Sequence, residues 1–298
     1  MVTVGPGLHH RVMSQTQSTR TYPPGVPCWV EVEPLDPNAA KDFYGGLFGW
    51  TFANAMPPDA PDYYLIAQLE GQDVAGIGMP PDEFGPYWHT YIVVDDADVA
   101  AAAVEVAGGG VLTPPPPEPG PGGRAAAVAD PQGAAFRLWQ PGRRLGAQVV
   151  NAPNAWNFSN LHTPDPSAAR PFYAEVFGWE FDGSDVGSGD VGLMVRQPGY
   201  GDHLAATADP EIRRRQAAVG APPAFADAIA WIVPVHAELP YWEVTFRVAD
   251  RDEALASVER LGGQVVSVPP DTAWSRTARV GDPDGAVFSI SQFTPPGG

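Results

Sequence analysis

His89, Glu31, Glu33, Glu243 and Arg137 are the side chains best suited to chemistry in this chain, because each falls in a segment that alternates as a strand. A histidine exchanges its proton near neutral pH, and a neighbouring carboxylate tunes that exchange. In Trp29-Val-Glu-Val-Glu33, alternation sends Val30 and Val32 to one face and Trp29, Glu31 and Glu33 to the other. The same rule sets His89 and Tyr91 opposite Trp88, Thr90 and Ile92, and sets Arg137 and Trp139 opposite Phe136 and Leu138. Later in the chain, Phe158, Asn160, His162, Glu243, Thr245, Arg247, Ser289 and Ser291 share one face, while Trp242, Val244, Phe246, Phe288 and Ile290 share the other. The apolar sets mark core, and the polar and aromatic sets mark the inside of a cup. His89, with Glu31 or Glu243, is the expected proton-transfer group. Trp29, Glu33, Tyr91, Arg137, Trp139, Phe158, Asn160, His162, Arg247 and Ser289 are the expected ligand contacts. A structural role stands beside each assignment: aromatics pack, and Arg137 neutralises a cup carboxylate, either Glu31 or, if halves are exchanged, Glu243. Cys28 has no activating neighbour in sequence and is expected in the core. No Ser–His–Asp spacing, phosphate-cradling glycine loop or dinucleotide fingerprint is present.

The elements that must position these residues repeat. Asp36-Pro-Asn-Ala-Ala-Lys-Asp-Phe-Tyr-Gly-Gly-Leu-Phe-Gly-Trp50 matches Asp165-Pro-Ser-Ala-Ala-Arg-Pro-Phe-Tyr-Ala-Glu-Val-Phe-Gly-Trp179. Trp88 to Asp96 resembles Trp242 to Asp250, Gly108-Gly109 falls on Gly262-Gly263, and Asp130-Pro-Gln-Gly133 falls on Asp282-Pro-Asp-Gly285. Asp36 and Asp165 are N-cap residues, and Gly49 ends the first helix. Each repeat divides into two halves of strand, helix and returning strands. The expected fold class is therefore α+β: two tandem domains, each of paired βαβββ modules forming a curved mixed-sheet cup with helices outside. Whether the halves pair within or across domains is open at this level. The expected boundaries are a mobile tail at 1–25, a first domain at 26–142, a linker at 143–153 and a second domain at 154–298. The offset between repeats grows between the two motif blocks, which places an insertion at about 209–240. Within it, Asp209 to Val219 reads as a short capped helix ended by Gly220, and Phe225 to Val233 is apolar. The insertion is a surface excursion, an inter-domain prop, or a lid over one cup.

The net charge of −18 disfavours nucleic acid and anionic membrane surfaces as partners. No apolar run reaches membrane-spanning length, residues 1–25 lack a signal-like apolar segment, and one cysteine precludes an intrachain disulfide. A cytoplasmic protein is expected, either a monomer with internal pseudo-two-fold symmetry or a homodimer.

The Asp-initiated helix ending in Phe-Tyr-x-x-x-Phe-Gly-Trp, the His- or Glu-led strand and the Asp-Pro-x-Gly turn resemble the vicinal-oxygen-chelate (glyoxalase/bleomycin-resistance) superfamily. Within it, they resemble the tandem-domain actinobacterial subgroup, which includes a mycobacterial 27 kDa antigen and hydroxylase-like proteins of anthracycline-type gene clusters. The resemblance implies four metal-ligand positions per domain. They fall on Trp29, Gly76, His89 and Arg137, and on Phe158, Ala205, Glu243 and Ser289. At most one plausible ligand per cup remains, so no metal and no other cofactor is expected; Glu31, Glu33, His162 and His203 are the residues from which a shifted site would be built. The resemblance further implies a small, aromatic ligand. Three readings follow: a metal-independent enzyme moving protons on an aromatic or polyketide-like metabolite (cyclisation, isomerisation, hydration or elimination), a non-catalytic drug-binding resistance protein, or a glyoxalase-like metalloenzyme with shifted ligands.

Overall fold

In the computed structural model, residues 19–57, 59–60, 63–79, 86–183, 192–222, 224–236 and 239–294 are described. The first domain contributes β1 (Pro27–Val32), β2 (Thr51–Asn54), β3 (Leu65–Leu69), β4 (Gln72–Ile77), β5 (Trp88–Val93), β6 (Gly110–Thr113), β7 (Gly123–Ala129) and β8 (Ala135–Pro141). They form one 8-stranded mixed sheet in the order β2-β3-β4-β1-β5-β8-β7-β6. The second domain repeats this arrangement with β9 (Trp156–Thr163), β10 (Glu180–Gly183), β11 (Leu193–Arg196), β12 (Ala228–Pro234), β13 (Tyr241–Arg247), β14 (Gln264–Ser267), β15 (Ser275–Gly281) and β16 (Val287–Phe293), in the order β10-β11-β12-β9-β13-β16-β15-β14. The central pairs β1–β5 and β9–β13 are antiparallel and join the two halves of one domain. The halves therefore pair within each domain, and Arg137 and Glu243 belong to different cups.

The first-half helices are α1 (Pro37–Phe48) and α3 (Pro166–Phe177); the second-half helices are α2 (Ala97–Val106) and α6 (Arg251–Arg260). The side chain of Asp36 accepts the backbone N–H groups of Asn38 and Ala39, Pro37 opens the first turn, and Gly49 ends the helix at φ 71°. Asp165 and Gly178 do the same for α3. The motifs that repeat in the sequence turn out to join the domains. Tyr44 of α1 donates to Asp282 at 2.9 Å, and Tyr173 of α3 donates to Asp130 at 3.0 Å. Each Asp belongs to the Asp-Pro-x-Gly turn of the other domain. Trp88 donates to the Tyr44 hydroxyl at 3.0 Å and Trp242 to the Tyr173 hydroxyl at 3.1 Å. A Cβ at Gly109 would stand 2.9 Å from the ring of Phe172, and one at Gly263 would stand 2.7 Å from that of Phe43, so these glycines make room for the opposite domain's helix. Phe43, Phe48, Trp50, Phe246 and Phe288 fill one side of this shared core; Phe136, Phe172, Phe177, Trp179 and Trp242 fill the other. Cys28 is fully buried within it.

Three sequence expectations change. The strand Ala228–Pro234 is not inserted: it occupies the place of β4, pairing in parallel with β9 as β4 pairs with β1. The extra segment is the stretch between β11 and β12, holding α4 (Tyr200–Thr207), α5 (Ile212–Ala218) and a 3-10 turn at Phe225–Asp227, where the first domain has only the turn Glu70-Gly71. Asp209 does not cap α5; it ion-pairs with Arg215. The sequence places a mobile tail up to residue 25, yet Tyr22 is buried and donates to the Ala147 carbonyl at 2.6 Å, so the chain is anchored from Arg20 onward. Residues 1–18 of that expected tail lie outside the described residues. The expected linker is likewise packed, with Ala147 fully buried. Among the described residues, no helix is long and apolar enough to cross a membrane.

Candidate functional site

The face of the first sheet turned away from the shared core holds a cavity of about 280 Å³. Trp29 and Glu31 from β1, Tyr91 from β5 and Trp139 from β8 line it, together with Tyr64, Met56, Asp73 and Arg144. Strand alternation delivers the first four, as the sequence indicates. At the floor, Trp29 donates its indole N–H to the Tyr64 hydroxyl at 3.0 Å, and Tyr64 donates to Glu31 Oε2 at 2.5 Å. Glu31 is buried. Burial pushes its carboxyl above the ordinary range; Arg137 and the Tyr64 hydrogen bond oppose that push without cancelling it. Burial, and then the Glu31 charge, hold the Tyr64 and Tyr91 hydroxyls well above the usual phenol range. Tyr91 meets Trp139 edge-on at 6.1 Å, and the Trp139 N–H is anchored on the Arg144 carbonyl at 3.0 Å.

His89, Glu33 and Arg137 share the same face but form a separate network outside the cavity lining. His89 Nε2 lies 3.1 Å from Glu33 Oε2, and Arg137 donates to Glu33 Oε1 at 2.5 Å. Burial raises the Glu33 carboxyl, but His89 and Arg137 outweigh burial and hold it below the ordinary range. Arg137 thus pairs with Glu33, not with Glu31 or Glu243. His89 is joined to Glu33, not to Glu31, its partner in strand register. Glu243 cannot serve His89, because it stands in the second cup.

In that second cup, Glu243 is buried between Arg279, which donates at 2.6 Å, and Ser289, which donates at 2.6 Å. His162 lies 3.8 Å from Glu243 and stacks on Tyr241 at 4.8 Å. Asn160 accepts the backbone N–H of Trp231 at 3.2 Å. Arg247 donates to the Asn151 carbonyl and lies over the ring of Phe293, away from the acidic cluster. Phe158 faces Thr245 across the β9–β13 ladder and is half-buried.

Sequence reasoning missed Tyr64, and it read Gly76 only as a metal-ligand position without a donor. Tyr64 precedes β3 and meets Glu31 only through folding, so no local spacing announces it. Gly76 is the partner of Glu31 in parallel register, and a Cβ there would lie 2.5 Å from the Tyr64 hydroxyl and 3.0 Å from the Trp29 indole nitrogen. Its bareness is what lets the Trp29–Tyr64–Glu31 chain form. The aromatic pair Tyr63-Tyr64 ahead of the apolar strand β3 is the one mark in the sequence near it.

The glyoxalase/bleomycin resistance protein/dioxygenase superfamily matches residues 35–138, and a glyoxalase-like domain family matches residues 158–291. CFP32 of Mycobacterium bovis, a glyoxylase by provisional assignment, is 34% identical over 280 residues, covering 92% of this chain and 97% of that protein. The anthracycline biosynthesis protein DnrV of Streptomyces peucetius is 33% identical over 288 residues, covering 91% and 94%. Among solved structures, the Mn(II)-bound glyoxalase from Novosphingobium aromaticivorans superposes with a TM-score of 0.56 at 16% identity, covering 92% of this chain and 83% of that one. The 2,3-dioxygenase LapB from Pseudomonas sp. KL28 gives 0.56 at 14%, covering 90% and 93%.

A fold shared with a metal-bound glyoxalase calls for a test of the donor set. Strand register places Glu31, Gly76 and His89 side by side, so Glu31 rather than Trp29 holds the first position, with Arg137 next to Tyr91. In the second cup the corresponding residues are Asn160, Trp231, Glu243 and Ser289. Ala205 does not hold the second position, because it sits on α4. Among the described residues, no three His, Cys, Asp or Glu side chains converge as a metal site would require. The Glu31–His89 pair is divided between Tyr64 and Glu33, and a guanidinium or an indole stands at a further position. Among the described residues, the side chains at these positions do not fit a divalent metal. In fold and sequence, the chain belongs to the glyoxalase/bleomycin resistance protein/dioxygenase superfamily.

Proposed function

We propose that this protein is a metal-independent enzyme that moves a proton on a small aromatic, polyketide-like metabolite held in the first cup. The observation that carries this reading is Glu31: a buried carboxyl raised by burial, hydrogen-bonded to Tyr64, and placed in the wall of an aromatic cavity. General acid–base groups work best when their pKa lies near the operating pH, and burial moves a carboxyl in that direction. Glu31 gives up or takes the substrate proton, and Tyr64 keeps one carboxylate oxygen in place while it does so. Trp29, Tyr91 and Trp139 hold a planar ring by stacking and edge contacts. The reaction class is one without net redox change: cyclisation, isomerisation, hydration or elimination. Kinship with an anthracycline biosynthesis protein supports an aromatic substrate.

His89 keeps a supporting role in this reading. With Arg137 it fixes Glu33 as an anion, which leaves Glu31 as the protonatable partner on the same strand.

Purified protein treated with chelator is to be incubated with a molar excess of hydroxylated naphthoquinones, anthraquinones and their open-chain precursors, and followed by mass spectrometry. Conversion of more than one equivalent, lowered about 10²-fold or more in Glu31→Gln, is expected. Ligand recovered unchanged after denaturation would mark a non-catalytic binder. Turnover that returns only on adding a stoichiometric divalent metal would overturn metal independence.

A further inference from the structure

A second, larger cavity of about 730 Å³ opens onto the first; Ala55, Asp73, Pro121, Gly122, Arg144 and Gly146 line both. Its outer wall is made by Arg20 of the N-terminal strap, Arg143 of the inter-domain segment and Ala208, which follows α4 of the second domain. Three arginines and one carboxylate, Asp73, therefore line an opening in a protein whose net charge is −18. Asp73 is taken by Arg144 at 3.1 Å.

Arg20 is firmly held and left without a counter-charge. Its backbone N–H donates to the Gln148 side-chain oxygen at 2.9 Å, and its carbonyl accepts from the same amide at 3.2 Å. Its guanidinium lies 5.4 Å from the centre of the Tyr22 ring and donates to the Tyr200 hydroxyl at 3.3 Å. Its Nε is buried with no acceptor, and no carboxylate lies within ion-pairing distance among the described residues. A largely buried cation surrounded by neutral groups is costly unless an anion completes it. Arg143, exposed in the same lining, uses only its Nε among the described residues, on the Pro121 carbonyl.

We infer that the outer cavity is a subsite for an anionic oxygen group borne on a short arm of the aromatic ligand, with Arg20 and Arg143 as its donors. The inference rests on the inner cavity being the ring site. It makes the substrate class an aromatic acid rather than a neutral polyketide. Tyr200 and His203 of α4 hold the strap that carries Arg20 through its side chain and through Thr21.

Three probes of equal ring size separate the possibilities: naphthylbutanoate, naphthylbutanamide and naphthylethyl phosphate, titrated by quenching of tryptophan fluorescence at physiological salt. Wild type should bind at least one anion about 10-fold or more tighter than the amide, as charge-assisted hydrogen bonds require, and the tighter anion identifies carboxylate or phosphate as the group recognised. In Arg20→Gln and in Arg143→Gln this preference should shrink several-fold while amide affinity stays the same. Arg143→Gln touches no buried contact, so it reads the charge alone even if Arg20→Gln loosens the strap, which a melting curve would reveal. Equal binding of acid and amide by wild type, or a preference intact in both variants, overturns the subsite and leaves the ring site standing. Anion binding unaffected by Trp139→Ala, with no amide binding at all, overturns the ring site instead. Failure of all three probes to bind overturns both.

Discussion

In the first cup a buried carboxyl, Glu31, meets tyrosine hydroxyls; in the second, the buried carboxyl Glu243 meets the Arg279 guanidinium and the Ser289 hydroxyl. Both sit on a central strand of the same sheet topology. Glu243 is neutralised by a fixed cation, the arrangement that lets a charge stay buried. The cation nearest Glu31 is committed elsewhere, because Arg137 pairs with Glu33. Burial raises the Glu31 carboxyl above its ordinary range, so it holds its proton more tightly than an exposed carboxyl does. The surroundings diverge to match. Gly76 leaves space beside Tyr64 in the first cup. The second places the indole of Trp231 at the equivalent position, and Gly192 stands before β11 where Tyr64 stands before β3. The two cups share one scaffold, and on the proposed function the difference between them separates a reactive carboxyl from a structural one.

Making the first cup resemble the second is the most damaging test of this comparison. Gly76→Trp should abolish binding of an aromatic ligand up to millimolar concentration, since even a Cβ at that position crowds Tyr64 and Trp29. Trp231→Gly should leave ligand affinity as it was. Undiminished binding by Gly76→Trp would break the assignment of the first cup as the ligand site. A milder pair compares the hydroxyl partners of the two carboxyls. Tyr64→Phe should lower turnover about 10-fold and move the pH profile of turnover, because it frees the oxygen that Tyr64 holds. Ser289→Ala should cost about 1 kcal/mol of stability and spare turnover. If Ser289→Ala proved the more harmful to turnover, the roles of the two cups would have to be exchanged.

The scaffold was legible because it is written in local chemistry. Asp36 and Asp165 cap, Gly49 and Gly178 terminate, and period-two alternation sorts Trp29, Glu31, Tyr91 and Trp139 to the cup. What the repeated motifs do was not legible, since the Tyr44–Asp282 and Tyr173–Asp130 bonds span more of the chain than any local rule reaches. The extra segment was misplaced for a related reason. A change of offset reports how many residues were added, not where, and the apolar run of β12 hides its alternation between two neighbouring strands. Within the site, residue types pointed to His89, but the selection between Glu31 and Glu33 as its partner was made by Arg137 and Tyr64 in three dimensions.

The subtlest difference lies within one strand and is measured by stability against pH. Glu31 has a raised carboxyl pKa and Glu33 a lowered one, each relative to an ordinary value of 4.5. For Glu31, the folded and unfolded states are both protonated well below 4.5, and its contribution to stability is then complete. As pH rises past 4.5 the unfolded carboxyl ionises first, so that contribution is lost until the folded carboxyl ionises as well. Glu33 has the opposite sign. Its contribution is present above 4.5 and is lost as pH falls through its depressed folded value. Glu31→Gln should therefore raise the melting temperature relative to wild type at pH 7.5 by a few degrees, about 1 kcal/mol, and the gain should vanish near pH 4. Glu33→Gln should lower it at pH 7.5, leaving Arg137 and His89 short of an acceptor, with the deficit closing as pH falls. The acid unfolding of so acidic a chain is common to all three proteins and cancels in the differences. Two difference curves of the same sign would mean that Glu31 is an ordinary paired carboxylate, and the distinction on which its role as proton donor rests would be gone.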